Sequence, residues 1–220
     1  SAPDYESKTA YTSTVTVSDG VNSVTQNITV NITNVNDVAP VISSSATFSA
    51  AENQTAIGTV EATDAEGDDL TYAVSGSEIS ITSSGVLSFV SAPDYESKTA
   101  YSVTITVSDG ELSDTQDITI NISNLNDNSP IIQSGSGFSV NENVVSIGQV
   151  TATDADGDSL IYSISGSEIE ISSIGALSFV DTNGADFETQ SSYIAVVSVT
   201  DGVFTSEQSI IVTVNDTNDN

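Results

Sequence analysis

The stretch Tyr101-Ser102-Val103-Thr104-Ile105-Thr106-Val107-Ser108-Asp109-Gly110 alternates apolar and polar residues and closes on a turn dipeptide. That period puts Tyr101, Val103, Ile105 and Val107 on one face of a half-buried strand. Asp109-Gly110 turns the chain, and Ile118, Ile120 and Ile122 then repeat the alternation. Upstream, the same pattern runs through Leu87 and Phe89, Ile79 and Ile81, Leu70, Tyr72 and Val74, and Gly58, Val60 and Ala62. A first strand falls near Phe48. Asp68-Asp69 and Ser84-Gly85 mark turns between these runs. The pattern predicts about seven strands in roughly 90 residues, and no window shows helical spacing. The fold class is all-β, a Greek-key sandwich.

The pattern also recurs. Ser91 to Tyr101 is an unchanged copy of Ser1 to Tyr11, 90 residues earlier, and Asn124-Leu125-Asn126-Asp127 follows Asn34-Val35-Asn36-Asp37 at the same offset. Ala62-Thr63-Asp64-Ala65-Glu66-Gly67 returns as Ala152-Thr153-Asp154-Ala155-Asp156-Gly157. Asp94-Tyr95-Glu96 returns as Asp186-Phe187-Glu188 at offset 92, because the loop Asp181–Ala185 is two residues longer. Pro40 and Pro130 follow the polar Asn-Asp linkers and mark the boundaries. The expected division is the C-terminal part of one repeat (1–37), a complete repeat (38–127) and a second complete repeat (128–220).

Composition removes many functions. Two basic residues against 31 acidic ones give a net charge of −29, and His, Cys, Met and Trp are absent. Such a chain cannot neutralise a phosphate backbone, so nucleic acid is not a partner. An anionic membrane surface repels it, and no apolar run is long enough for insertion into a bilayer. No basic, apolar leader is read in this stretch. Without His or Cys there is no Ser-His-Asp triad, no thiolate nucleophile and no usual zinc site. Hydrophobic residues at 37%, rich in Val and Ile, argue against acidic disorder.

The acids recur at set places: a Glu before the second strand, Asp-x-Glu before the sixth, Asn-Asp in the linker, and Asp-x-Asp or Asp-x-Glu after the second strand of the next repeat. Carboxylates from three segments could converge at each junction. Clustered hard oxygen ligands without nitrogen or sulfur donors select Ca²⁺.

With Glu52, Asp94-Tyr95-Glu96, Asn124 to Asn128 before Pro130, and Ala152 to Asp156, the chain resembles the calcium-binding repeats of cadherins. Its Ser/Thr/Val-rich, near-identical copies are most similar to bacterial cadherin-like repeats of large surface adhesins. The resemblance implies tandem seven-stranded cadherin/immunoglobulin-like sandwiches with calcium-binding linkers. It implies that Glu52, Asp94, Glu96 and Asp127, with the Leu125 carbonyl and Asp156, hold two ions. Asn126, the Asn128 carbonyl, Asp154, Asp156 and Asp201 hold a third. At the earlier junction the implied ligands are Asp4, Glu6, Asn36, Asp37, Asp64, Glu66 and Asp109, with main-chain groups of Val35 and Val38. Glu142, Asp186, Glu188 and Asp219 form half a site at the far end. The family usually has Asp where Asn124 stands, and Asp where Glu66 stands.

Seven carboxylates at the complete junction (Glu52, Asp94, Glu96, Asp127, Asp154, Asp156 and Asp201) against three Ca²⁺ leave about −1. Without metal, their repulsion costs roughly 3 kcal/mol even at physiological salt. A flexible apo junction and a stiff loaded one are expected. The expected role is non-enzymatic: an extender of an extracellular adhesin on a bacterial cell surface, its partners being neighbouring repeats of the same protein. Two rivals are homophilic cell–cell adhesion by the repeats themselves and a carbohydrate-binding module beside a polysaccharide-degrading enzyme. A glycosidase dyad and an EF-hand are set aside, the latter because Gly157 falls at loop position 4 rather than 6. Tyr72, Tyr162, Phe89 and Phe179 are expected in the core, and Glu111, Asp114 and Asp117 on a solvated surface. Residues 1–37 supply only two strands, so exchange with another copy of the chain is expected there.

Overall fold

The computed structural model describes residues 2–217, and among them there are only strands, turns and irregular segments. The chain divides into two units, residues 1–123 and 124–220.

The first unit opens with an antiparallel hairpin, β1 (Ala10–Ser18) and β2 (Ser23–Asn31), whose strands, among the described residues, pair only with each other. Nine strands follow: β3 (Val41–Ile42), β4 (Thr47–Ala51), β5 (Ala56–Thr59), β6 (Ala62–Thr63), β7 (Thr71–Val74), β8 (Ile79–Ile81), β9 (Val86–Phe89), β10 (Ala100–Ser108) and β11 (Ser113–Ser123). They build a four-stranded sheet ordered β4-β11-β10-β7, a three-stranded sheet ordered β5-β9-β8, and a small β3-β6 ladder. The predicted first strand near Phe48 is β4, preceded by β3, which the sequence reading did not include; the predicted second run, through Gly58, Val60 and Ala62, is divided into β5 and β6. β4 runs parallel to β11 while the other ladders of that sheet are antiparallel. Side-chain alternation has the same period in either direction, so it could not reveal the parallel pair.

The two sheets close on the apolar faces read from the sequence. Ile105, Val107, Ile118 and Ile120 from the larger sheet meet Ile79, Leu87 and Phe89 from the smaller, with Val60 between them, all buried. Phe89 is core as expected, and Tyr72 packs against the core half-buried. Gly85 makes the closure possible. Its φ is +80°, and a Cβ there would lie 2.3 Å from the Val60 carbonyl oxygen. Asp114 does more than face solvent: its Oδ2 accepts the Ile42 N–H at 3.0 Å and so pins β3.

The second unit repeats the plan. Its strands are β12 (Ile131–Ile132), β13 (Gly137–Asn141), β14 (Ser146–Gln149), β15 (Ala152–Thr153), β16 (Ile161–Ile164), β17 (Ile169–Ile171), β18 (Ala176–Phe179), β19 (Ser192–Thr200) and β20 (Thr205–Asn215). The sheets are β13-β20-β19-β16, β14-β18-β17 and β12-β15. Val197, Val199, Ile210 and Val212 take the places of Ile105, Val107, Ile118 and Ile120. Phe179 is buried and Tyr162 packs against the core.

Candidate metal centres

Each unit carries acidic groups at the ends of its sandwich, and local turns aim them. Glu52 is 2% exposed and Glu142 3%. Each precedes an Asn with positive φ, Asn53 (62°) and Asn143 (60°), a conformation Asn tolerates better than most side chains. The Glu52 N–H donates to the Ser123 carbonyl, and the Asn53 N–H to the Pro93 carbonyl, so the turn is tied to both neighbouring segments. Glu52 Oε2 accepts the Tyr95 N–H at 2.8 Å, and a Glu96 oxygen lies within 4.8 Å of a Glu52 oxygen. Asp94 sits beside them in a turn of its own. Its Oδ1 accepts the Glu96 and Ser97 N–H groups, and its Oδ2 accepts the Ser97 hydroxyl at 2.9 Å. The Ser97 hydroxyl is the main reason its pKa lies below the usual Asp value.

A second kind of group lies wholly within each unit. Asp154 Oδ1 accepts the Asp156 N–H at 3.0 Å, and Asp201 Oδ1 accepts the Val203 and Phe204 N–H groups at 2.7 Å. Each aspartate therefore spends one oxygen on its own turn. The other oxygen of each, Asp154 Oδ2 and Asp201 Oδ2, is buried without a hydrogen-bond partner, as is Asn126 Oδ1. The first unit repeats this trio atom for atom: Asn36 Oδ1, Asp64 Oδ2 and Asp109 Oδ2. Asp64 Oδ1 takes the Glu66 and Gly67 N–H groups, and Asp109 Oδ1 those of Glu111 and Leu112. The side-chain amide of Asn126 lies beside Asp201, and that of Asn36 beside Asp109. Each favours the charged carboxylate, yet none makes a hydrogen bond of good geometry to the buried oxygens. For Asp201, burial opposes ionisation most strongly, but the Phe204 and Val203 N–H groups and Asn126 together keep its pKa lowered.

Buried anionic oxygens without donors are costly unless a cation meets them. Carboxylate and amide oxygens, in a chain without His or Cys, suit a hard cation of the Ca²⁺ type. The residues fit such an ion. Asp201 both starts the hairpin turn, through the Val203 and Phe204 N–H groups, and keeps one buried oxygen unspent.

The linker segments are held by the same chemistry. Asp156 Oδ2 accepts the Asp127 and Asn128 N–H groups at 3.1 and 2.9 Å, and the Asn128 amide bridges Asp127 Oδ1 and Asp156 Oδ1. Asn124 donates its amide to the Asp156 carbonyl at 2.8 Å, a strut that an Asp could not provide. In the first unit Glu66 makes the corresponding contacts, accepting the Asp37 N–H at 2.9 Å and the Val38 N–H at 3.3 Å. Its extra methylene still reaches. Glu6, Asp37 and Glu66 each place an oxygen within 4.8 Å of the others. The Glu6 backbone N–H favours its charged form, but partial desolvation and the carboxylates of Asp4 and Glu66 outweigh that and raise its pKa. Asp4 shares the turn geometry of Asp94. The implied carbonyl ligands of Val35, Val38, Leu125 and Asn128 lie on these same two linker segments.

At the far end Glu142, Asp186 and Glu188 gather within 4.8 Å. Thr217 donates its N–H to Glu142 Oε1 at 2.6 Å, and Phe187 donates to Oε2 at 3.2 Å, so Glu142 is held more acidic than usual. Asp219 lies outside the described residues. Two residues of these groups were not read as ligands from the sequence, Asp158 and its counterpart Asp68. Asp158 joins Asp154 and Asp156, and Asp68 joins Asp64 and Glu66. Desolvation, then Asp154, Asp156 and Asp201, raise the pKa of Asp158. The signal was present as a third acid at period two, in Asp154-x-Asp156-x-Asp158.

Comparison with known proteins bears on the fold and the repeats. A family model described as a bacterial Ig domain matches residues 36–121. The mouse cadherin EGF LAG seven-pass G-type receptor 1 is 32% identical over 185 residues, covering 75% of this chain and 6% of the receptor. Chitinase A of Pseudoalteromonas piscicida is 33% identical over 129 residues, covering 57% of this chain and 16% of that protein. The chain thus spans a small part of each of these relatives. Among solved structures, a protocadherin gammaB7 EC3-6 cis-dimer superposes with a TM-score of 0.83 at 21% identity, over 96% of this chain and 61% of the other. The fold is an all-β sandwich of the cadherin/immunoglobulin kind. The chain is built of cadherin-like repeats.

Proposed function

We propose that this chain is a calcium-rigidified extender of an extracellular adhesin on a bacterial cell surface. It is a non-enzymatic part that projects a binding region and so mediates adhesion. Its units are a partial repeat (1–37) and two complete repeats (38–127 and 128–220), and neighbouring repeats are its first partners. About three Ca²⁺ serve a complete junction. Glu52, Asp94, Glu96, Asp127 and Asp156 hold two of them with the Leu125 carbonyl. Asn126, Asp154, Asp156, Asp201 and the Asn128 carbonyl hold the third, joined by Asp158. The observation that carries this reading is the matched trio of buried, unpartnered oxygens at Asn36, Asp64 and Asp109 and again at Asn126, Asp154 and Asp201. An array selected only for a solvated surface has no reason to repeat that arrangement.

The ion supplies positive charge where anionic oxygens crowd. The chain's own turns do the rest, since each Asp is oriented by its spent oxygen and loses little freedom on binding. Small-angle scattering of the chain with Ca²⁺ and with EDTA tests the mechanism. The maximum dimension and melting temperature should both change on chelation; identical curves would sink the extender reading. A second copy of the chain, exchanging strands at the exposed hairpin β1–β2, is a further partner in this reading, consistent with the apolar residues that hairpin leaves in solvent. The charge of −29 speaks against nucleic acid and membrane insertion.

The likeness to chitinase A supports a second reading, a module beside a polysaccharide-degrading enzyme. Retention of the chain on chitin beads, abolished by soluble chitin oligosaccharides, would favour it over the extender.

A further inference from the structure

In the second unit a groove of about 510 Å³ opens between Glu168, Asp181, Asp186, Phe179 and Tyr193. Its counterpart in the first unit, bordered by Glu78 and Tyr101, measures about 300 Å³. One side chain distinguishes them. In the first unit Lys98 lies over the face of Tyr101, its Nζ 3.9 Å from the ring centroid. The same Nζ donates to both oxygens of Glu78, at 2.8 and 2.7 Å. The hairpin repeats the stacking, with Lys8 4.3 Å over Tyr11. The second unit keeps the floor and the acid. Tyr193 rests against Phe179 at 5.0 Å, as Tyr101 rests against Phe89 at 5.0 Å, and Glu168 stands where Glu78 stands.

The position of Lys98 is taken by Gln190, whose amide turns back to the Ser192 carbonyl at 2.8 Å. Residues 124–220 contain no Lys or Arg, so the unit has no cation of its own to answer Glu168, Asp181 and Asp186 around the ring. The wall is formed by the longer loop Asp181–Ala185, which is pressed close to its neighbour. Gly184 has φ +85°, and a Cβ there would fall 2.6 Å from the Val144 nitrogen. Acid and aromatic face are thus presented together and unfilled, in the arrangement that holds a lysine elsewhere in the same chain.

We propose that this groove binds a lysine side chain of a partner protein, with the ammonium over the Tyr193 face and against Glu168, as Lys98 sits on Tyr101 and Glu78. The occupant follows from the chain itself, because the first unit shows which group fits this floor. The site is separate from the trio Asn126, Asp154 and Asp201, although Asp186 on its rim also belongs to the far-end group with Glu142 and Glu188.

The test is an NMR titration of the ¹⁵N-labelled, Ca²⁺-saturated 220-residue chain at physiological salt, which suppresses diffuse attraction to its acidic surface. The probe is a capped Gly-Lys-Gly peptide, and the control replaces lysine with norleucine. Saturable shifts should be confined to amides around Glu168, Val180 and Tyr193, with the norleucine peptide silent. Gln190→Lys should fill the groove from within and weaken the peptide at least about tenfold. Lys98→Gln should open a second responding site around Tyr101. Equal response to norleucine, shifts spread over the whole surface, or unchanged binding by Gln190→Lys would each overturn the proposal.

Discussion

The hairpins β1–β2 and β10–β11 are nearly the same sequence in two surroundings. Their registers coincide pair for pair, Ala10 opposite Asn31 and Ala100 opposite Asn121, with every later pair offset by the same 90 residues. Their turns coincide too: Asp19 Oδ1 accepts the Val21 and Asn22 N–H groups as Asp109 Oδ1 accepts those of Glu111 and Leu112. Yet Val15 is 44% exposed and Val30 54%, while Ile105 and Ile120 are both 0% exposed. Local sequence therefore suffices for the strand, the turn and the register. Burial comes from β4, β7 and the β5-β9-β8 sheet, which β10–β11 possesses and β1–β2 does not.

The largest expected contrast is energetic. Ile120→Ala should cost the first sandwich about 2–5 kcal/mol, because it leaves a cavity in a closed core. Val30→Ala, at the matching hairpin position, should stay within about 0.5 kcal/mol. Urea unfolding followed by residue-resolved NMR reads both. A large cost at Val30 would mean that something covers the hairpin in solution, a second copy of the chain above all.

Next in size is the effect of metal removal. Saturation at about 100 times the dissociation constant stabilises by roughly 2.7 kcal/mol per site. EDTA should lower the melting temperature of both sandwiches. It should also release β1–β2 to near-intrinsic hydrogen exchange, since Glu6 shares its acidic group with Asp37 and Glu66. The amides of β10–β11 should remain protected. Equal protection of both hairpins after chelation would break the comparison.

Smaller again is a pair of substitutions at the shared turn. Asp109→Asn removes charge from an oxygen that is buried and unpartnered, and should weaken Ca²⁺ binding about tenfold by calorimetry. Asp19→Asn, in the same turn of the exposed hairpin, should leave Ca²⁺ affinity unchanged. The smallest effect is one that should not differ at all. Ser7 and Ser97 hydroxyls hold Asp4 and Asp94 below the usual Asp pKa in the same local turn. A folded-state pKa below the ordinary value favours the native state at higher pH, and that contribution disappears as pH falls through the lowered value. Ser7→Ala and Ser97→Ala should therefore each raise their partner's pKa, by similar amounts, in a carboxylate NMR titration of the metal-free protein.

Period-two alternation and an exact 11-residue duplication made the all-β repeat legible, because both are properties of neighbours along the chain. The acids of the candidate sites were legible for the same reason: they recur at fixed places in the period. What stayed hidden was the division of labour within each carboxylate. Asp201 could be read as a turn former or a ligand, and only three-dimensional packing shows one oxygen spent on Val203 and Phe204 while the other lies buried. Asn124 stood as a departure from the family pattern until its amide was placed on the Asp156 carbonyl. The parallel β4–β11 ladder was hidden as well, since strand direction leaves no trace in alternation.

By itself, then, the sequence determined strands, turns, repeat length, charge and the inventory of hard oxygen donors, all of which follow from backbone periodicity and side-chain chemistry. The tertiary structure alone decided which of two similar hairpins is buried, which oxygens lack a partner, and that Tyr193 borders a groove whose counterpart at Tyr101 holds Lys98. Those are questions of what lies across a gap from a side chain, and segments distant in the chain supply the answer.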